Sequence, residues 1–146
     1  MRFSVRDADT VAEILREAAA TEIMPRFHHL GAGAIREKTS AEDLVTVADV
    51  AAEKVIAAAL VKAFPGSIVI GEESVSARPA LLDELDGADL AFVVDPVDGT
   101  KNFASGLPLF GVMAAVVARG EIVGGINLDP VAGDWSIAVR GEGAFT

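Results

Sequence analysis

The sequence predicts an α+β fold in which an antiparallel sheet packs against two long helices. Two stretches of helical apolar spacing open the chain, short runs of branched apolar residues follow, and the part after Thr100 alternates strand-like segments with turns. The 146 residues fit one domain, and a chain of that size buries about 68–70% of its unfolded surface. Hydrophobic residues make up 51% and aromatics only 5%, so helices and strands built from Ala, Val, Leu and Ile are favoured over disorder.

From Asp7 to about His29 the apolar positions Val11, Ile14, Leu15, Ala18 and Ala19 recur at helical spacing, which predicts a first amphipathic helix. Gly31, Gly33 and the polar run Arg36, Glu37, Lys38, Thr39, Ser40 break that pattern and read as a mobile loop or short hairpin suited to a lid. A second helix is expected to begin around Asp43 to Thr46 and run to about Phe64, with Val47, Val50, Ala51, Ala58 and Val61 on one face. Pro65-Gly66 stops it, and Asp49 falls in its first turns. Ile68 to Ile70 and Leu90 to Val94 read as buried strands, each followed at once by carboxylates. Leu109–Val117, a turn at Ala118-Arg119-Gly120-Glu121, Ile122–Leu128 and a strand near Trp135–Val139 read as an antiparallel meander. No repeat or interdomain linker interrupts the chain, so one domain is expected.

Several function classes are excluded or disfavoured. Twenty-two acidic against twelve basic side chains give a net charge of -10, which repels a nucleic-acid backbone unless basic residues cluster, and they do not. There are no cysteines, so disulfides, thiolate zinc sites and cysteine nucleophiles are excluded. No segment approaches the ~18 uninterrupted apolar residues of a membrane span, and a cytoplasmic location is the default expectation. His28 and His29 are neighbours that face different sides of a helix, so they are surface residues rather than a metal pair. No P-loop pattern and no Gly-x-Ser-x-Gly elbow occurs, and Gly31-Ala32-Gly33 neither follows a strand nor continues to a third glycine. Asp95 and Asp98 are three residues apart, whereas aspartyl-phosphate phosphatases place their acids two apart, so direct attack by water is preferred.

The chemistry concentrates in Asp95-Pro96-Val97-Asp98-Gly99-Thr100, at the end of an expected strand. Pro96 turns the chain, and the turn can bring both carboxylates and the Val97 carbonyl toward one point, a donor set suited to a hard cation. Gly99 lets the backbone approach an anion, and Thr100 can open a short helix whose free N–H groups face a phosphate. Pro, Asp, Gly and Thr are also ordinary turn residues, so the hexapeptide alone is equally a plain turn. Gly71-Glu72-Glu73-Ser74 supplies two more carboxylates from a second strand end, and adjacent strands only ~5 Å apart can put all these acids in one cleft. Asp49, on the second helix near Thr46 and Asp43, reads alone as a solvated or capping residue.

The order Lys38, then Asp43-Leu44-Val45-Thr46-Val47-Ala48-Asp49, Gly71-Glu72-Glu73-Ser74 and Asp95-Pro96-Val97-Asp98-Gly99-Thr100 resembles the inositol monophosphatase family. The resemblance extends through Lys101-Asn102-Phe103, Gly106-Leu107-Pro108 and Gly141-Glu142-Gly143-Ala144-Phe145, essentially the whole chain after the first helix. It implies the first half of a layered αβαβα sugar-phosphatase fold and a magnesium-dependent phosphomonoesterase. Glu72, Asp95, the Val97 carbonyl and Asp98 would ligate Mg2+, and Glu73 would support a water behind those ligands. Thr100 would orient the attacking water with Asp49 behind it, so that Asp49, Thr100 and Glu73 form the catalytic set. The backbone of Val97, Asp98, Gly99 and Thr100 would cradle the substrate phosphate, and the Lys38 loop would close over the site and help hold another metal ion. Lithium sensitivity and a homodimer are implied too.

The chain departs from the family pattern by stopping at Thr146, where relatives continue into a second αβ domain that supplies a Trp-Asp aspartate ligand and most contacts to the organic part of the substrate. Trp135 follows Asp134 and is not that motif, so residues 1–146 are expected to be one amino-terminal metal-binding domain with an incomplete site. A small phosphorylated substrate is implied, an inositol monophosphate first. Histidinol phosphate, fructose 1,6-bisphosphate and 3′-phosphoadenosine 5′-phosphate are the rivals within the family. Extragenic suppressor relatives act with the transcription machinery, which implies a non-catalytic rival with a protein partner in a regulatory role.

Overall fold

The computed structural model describes residues 2–27, 35–37 and 44–146; the expected lid residues Gly31, Gly33 and Lys38, the pair His28-His29, and Asp43 lie outside them. The first helix, α1 (Val5–Ala18), begins ahead of the boundary that apolar spacing suggests, because Ser4 caps it. The Ser4 hydroxyl accepts the Asp7 N–H at 3.3 Å while the Asp7 carboxylate accepts the Ser4 N–H at 2.9 Å, a reciprocal cap for donors that a helix start leaves free. Ala8, Val11, Ala12, Leu15 and Ala18 form its buried stripe. A π turn (Ala19–Ile23) and a 3-10 turn (Met24–Arg26) continue to Phe27, and Pro25, which has no N–H to donate, marks where regular α hydrogen bonding has ended.

Leu44–Thr46 is a strand rather than the start of a helix. It is β2, paired antiparallel with β1 (Ile35–Glu37), and the second helix, α2, runs Val47–Ala63. Its buried side is also not the expected one. Ala48, Asp49, Ala52, Glu53, Ile56 and Leu60 face inward, whereas Val47, Val55 and Val61 are exposed. The helix is apolar on several sides, so periodicity alone cannot rank its faces. The small side chains of Ala48 and Ala52 let α2 pack closely among its neighbours, which include α1 and the sheet.

Six strands form the main sheet in chain order: β3 (Ile68–Gly71), β4 (Ala91–Asp98), β5 (Gly111–Ala118), β6 (Glu121–Asp129), β7 (Asp134–Val139) and β8 (Gly143–Phe145). The meander from β4 to β8 is antiparallel as expected, but β3 and β4 are parallel, so the sheet is mixed. Parallel pairing requires a long crossover, which residues 72–90 supply through α3 (Glu72–Ala77) and a 3-10 helix (Pro79–Glu84). The β5–β6 hairpin turns on Arg119 and Gly120, both at positive φ (49° and 78°), the geometry that matches strand twist in a two-residue loop.

One face of the sheet packs on α1 and α2 and holds the core, with Phe92, Val112, Val116, Ile126 and Leu128 buried there. α3 follows β3 and lies against β3, β4 and α2, while on the face away from the core Met113, Ala115, Gly125 and Ala138 line an open groove. Among the described residues no helix is long and apolar enough to cross a membrane. Phe92 is fully buried with its ring centroid 5.1 Å from that of Phe64. Phe92→Ala is expected to lower the unfolding free energy by about 3–5 kcal/mol in urea titrations followed by circular dichroism. A loss within the error of the titration would show that this layer is not close-packed.

Candidate functional site

The site begins with an irregularity in β4. Asp95 is opposite Met113 and Asp98 is opposite Gly111, so three steps along β4 match two along β5. In a regular strand residues three apart point to opposite faces, but here their partners are two apart and share a face, so the bulge brings Asp95 and Asp98 to the same side of the sheet. Pro96 lies within the bulge and has no N–H to donate to a ladder. The strand therefore runs through the hexapeptide to Asp98 rather than stopping before it, and Val97 is buried, 1% exposed.

The chain leaves β4 through Gly99, whose φ of 95° is left-handed, directly into α4 (Thr100–Ala104). A Cβ at Gly99 would sit 2.9 Å from the Leu109 carbonyl oxygen, so both conformation and space require glycine there. Phe103 of α4, Phe27 and Phe110 form an aromatic trio with centroids 5.0–5.6 Å apart, which pins α4 and the approach to β5 from below. Asn102 adds a hydrogen bond from its side-chain N–H to the Leu109 carbonyl at 2.8 Å. The Thr100 hydroxyl donates to the Val97 carbonyl at 3.1 Å.

Glu72 is the first residue of α3, directly after the end of β3 and level with Asp95. Its side chain hydrogen-bonds that of Asp95, so the two carboxyls share a proton. Glu72 is exposed along part of its length, yet withdrawal of its carboxyl from water pushes its pKa up to about 8. Contact with Asp95 and the charges of Asp95, Asp49 and Glu73 add to that shift. Asp95 is also raised, first by burial and then by the charges of Asp98 and Glu53, against the lowering effect of hydrogen bonds from Glu72 and the Val97 N–H. Asp49 is 1% exposed on α2. The structure thus brings Glu72 and Asp95 into contact, with Asp49, Glu73 and Asp98 within electrostatic reach. The Thr100 hydroxyl is engaged with Val97.

Among the described residues no three Asp, Glu or His side chains close around a point as a ready-made metal cluster. The carboxyl pair nevertheless fits a hard cation that retains its own water, since Mg2+ is commonly held through one or two carboxylates rather than an all-protein cage. The available donors are oxygens, and Asp95 Oδ1 is buried with no N–H or hydroxyl partner among the described residues. Val97 offers a carbonyl whose second lone pair remains after Thr100 has used the first.

Residues 5–146 match the model of the inositol monophosphatase family. The chain belongs to that family. A Nus factor SuhB from Pseudomonas aeruginosa is 39% identical over 127 residues, covering 87% of this chain and 45% of that protein. An inositol-1-monophosphatase from Rhizobium meliloti is 40% identical over 105 residues, covering 70% of this chain and 36% of that protein. In three dimensions the extragenic suppressor protein suhB from Bartonella henselae aligns with a TM-score of 0.77 at 31% identity, over 97% of this chain and 52% of that one. The chain spans less than half the length of the two relatives matched by sequence.

One residue of the site escaped the sequence reading. Glu53 is 5% exposed and sits one helical turn after Asp49, so both acids lie on one side of α2. The available signal was that spacing, a second carboxylate four residues on in an alanine-rich helix. The raised Glu72 pKa has a direct consequence for stability. A carboxyl whose folded pKa lies above its unfolded value binds more protons when folded, so stability is greatest below the unfolded value and falls as pH rises toward the folded one. In chelator, the melting temperature of the chain is expected to fall between pH 4.5 and about 8, and the slope in that window should flatten in Glu72→Gln. A wild-type melting temperature that rises across the same window would contradict the shared-proton arrangement.

Proposed function

We propose that this chain is the metal- and phosphate-binding part of a magnesium-dependent phosphomonoesterase acting on an inositol monophosphate or a related small phosphate ester. The observation that carries this reading is the contact between Glu72 and Asp95, from two separate elements, on the face to which the β4 bulge also turns Asp98. Glu72, Asp95, Asp98 and the Val97 carbonyl would hold Mg2+, with Glu73 behind them. When bound, Mg2+ supplies Lewis acidity that lowers the pKa of water and offsets charge on the leaving oxygen.

The side chains have complementary tasks. Glu72 and Asp95 must give up their shared proton to present anionic oxygens, which raised pKa values make harder and a nearby cation makes easier. Thr100 commits its proton to the Val97 carbonyl. Its oxygen is then left to accept, the polarity needed to hold a proton of the attacking water and turn a lone pair toward phosphorus. Asp49 is buried on α2 beside Glu72, and to serve as the base through Thr100 it would take the Thr100 hydroxyl proton, released from the Val97 carbonyl, as that oxygen takes a proton from the water. The backbone of Val97 to Thr100 would cradle the phosphate, with the left-handed turn at Gly99 setting its course into α4.

A second reading is favoured by the 39% identity to a protein named as a Nus factor: a regulatory role with a protein partner. The net charge of -10 disfavours direct contact with a nucleic-acid backbone. Phosphate release from a panel of phosphomonoesters with Mg2+ tests the enzymatic reading in the full-length protein. Asp95→Asn is expected to abolish Mg2+-dependent release, whereas Asp49→Asn should cost about 10²–10⁴-fold, the range of a lost general base. Near-normal turnover by Asp95→Asn would refute the ligand assignment. Partner function that survives both substitutions in a protein without phosphatase activity would favour the regulatory reading.

A further inference from the structure

Glu53 has no place in the roles described so far, yet it is one of the few charged side chains in the interior, 5% exposed. It stands on α2, and three hydrogen bonds reach it from the first turn of α3. Its Oε2 accepts the Glu73 N–H at 2.8 Å, and its Oε1 accepts the Ser74 N–H at 2.9 Å together with the Ser74 hydroxyl. The residue preceding α3, Gly71, has no side chain with which to cap it, so donors at the helix start are satisfied by a carboxylate from another helix.

Gly71 makes room for that carboxylate. Its φ and ψ of -104° and 159° are open to any residue, so conformation does not demand glycine. Space does, because a Cβ there would lie 2.1 Å from Glu53 Cδ and 2.2 Å from Oε1. A buried acid, a matching gap and three donors on consecutive residues make one latch between α2 and α3, and the next side chain along is Glu72.

We propose that Glu53 is a positioning residue for the candidate cation site, holding the first turn of α3 so that the Glu72 carboxyl stays against Asp95. This rests on reading Glu72 and Asp95 as cation ligands. Two other roles would leave different traces. If Glu53 acted only through its negative charge, any change that keeps the charge would be silent. If it served only general stability, cation affinity would follow the melting temperature.

The test is Mn2+ binding to the full chain, followed by the loss of the free-ion electron paramagnetic resonance signal, with melting curves and amide hydrogen exchange on the same samples. Glu53→Gln places an amide N–H against the α3 donors and is expected to weaken Mn2+ binding about 10–100-fold, the usual effect of removing an outer-shell partner. Exchange at the Glu73 and Ser74 amides should accelerate with it. Gly71→Ala keeps the charge but displaces the carboxylate, and a similar weakening is expected. Added to Glu53→Ala, where nothing remains to be displaced, the same alanine should change affinity by less than about twofold. Ser74→Ala removes one hydroxyl from a partly exposed position and serves as the mild variant, with a smaller loss of affinity at unchanged melting temperature.

Full Mn2+ affinity in Gly71→Ala with reduced affinity in Glu53→Gln would reduce Glu53 to a charge and overturn the positioning role. Affinity that falls only in step with melting temperature, with Ser74→Ala silent, would overturn it in favour of general stability. A wild-type chain that leaves the Mn2+ signal untouched while its Glu73 and Ser74 amides remain protected would instead sink the cation reading on which the proposal stands.

Discussion

Two carboxyl groups in contact, Glu72 at the start of α3 and Asp95 in β4, are the constraint around which the rest of this molecule is arranged. Like charges at hydrogen-bond distance cannot both ionise without a compensating positive charge, so the pair either shares a proton or shares a cation. Neither group arrives there by local preference. Asp95 needs a bulged strand, and Glu72 needs a helix that starts beside that strand. The parallel pairing of β3 with β4 supplies the second condition. It puts the carboxyl ends of both strands at the same edge of the sheet, so that α3 leaves β3 at the level of Asp95.

The bulge and the turn after it are then held from behind by apolar packing. Val97 is buried, the Phe27, Phe103 and Phe110 rings interlock under α4, and Gly99 admits the Leu109 carbonyl where any larger residue would clash. A loop carrying two aspartates would by itself be mobile, and acids on a mobile loop relax apart. Here Asp95 and Asp98 point from a strand whose back is in the core, and the helix start carrying Glu72 is held by Glu53 of α2, the arrangement that keeps like charges together long enough to attract a third party.

Much of this was legible in the sequence, and the divisions are physical. The strand-rich meander, the two long helices and the acids at Glu72, Asp95 and Asp98 stood out because branched apolar runs, Pro-Gly stops and clustered carboxylates are local signals. The parallel edge strand was not legible. Pairing direction depends on where residues 72–90 carry the chain, and no local spacing encodes that route. The start of α1 was misplaced because Ser4 and Asp7 cap each other through side chains that carry no periodicity. The extent of β4 was cut short because Pro96 reads as a terminator, although a bulge tolerates it.

The error on α2 is the most informative, because it exposes what sets the orientation of that helix. Burying a large apolar side chain contributes roughly 1.5–3 kcal/mol, so a helix free to choose would turn Val47, Val55 and Val61 inward. It leaves all three exposed and buries Asp49 and Glu53 instead. Each residue advances about 100° around a helix, so Asp49 and Glu53 share a side and no rotation toward the valines would keep both acids in place. One faces the Glu72 neighbourhood, and the other closes the first turn of α3. Alanine at 48 and 52 lets this polar-bearing side approach the core closely, with Ile56 and Leu60 completing the apolar contact farther along. The helix is therefore oriented by its two acids, at the expense of hydrophobic burial, which is what a fold does when a side chain's position matters more than its transfer energy.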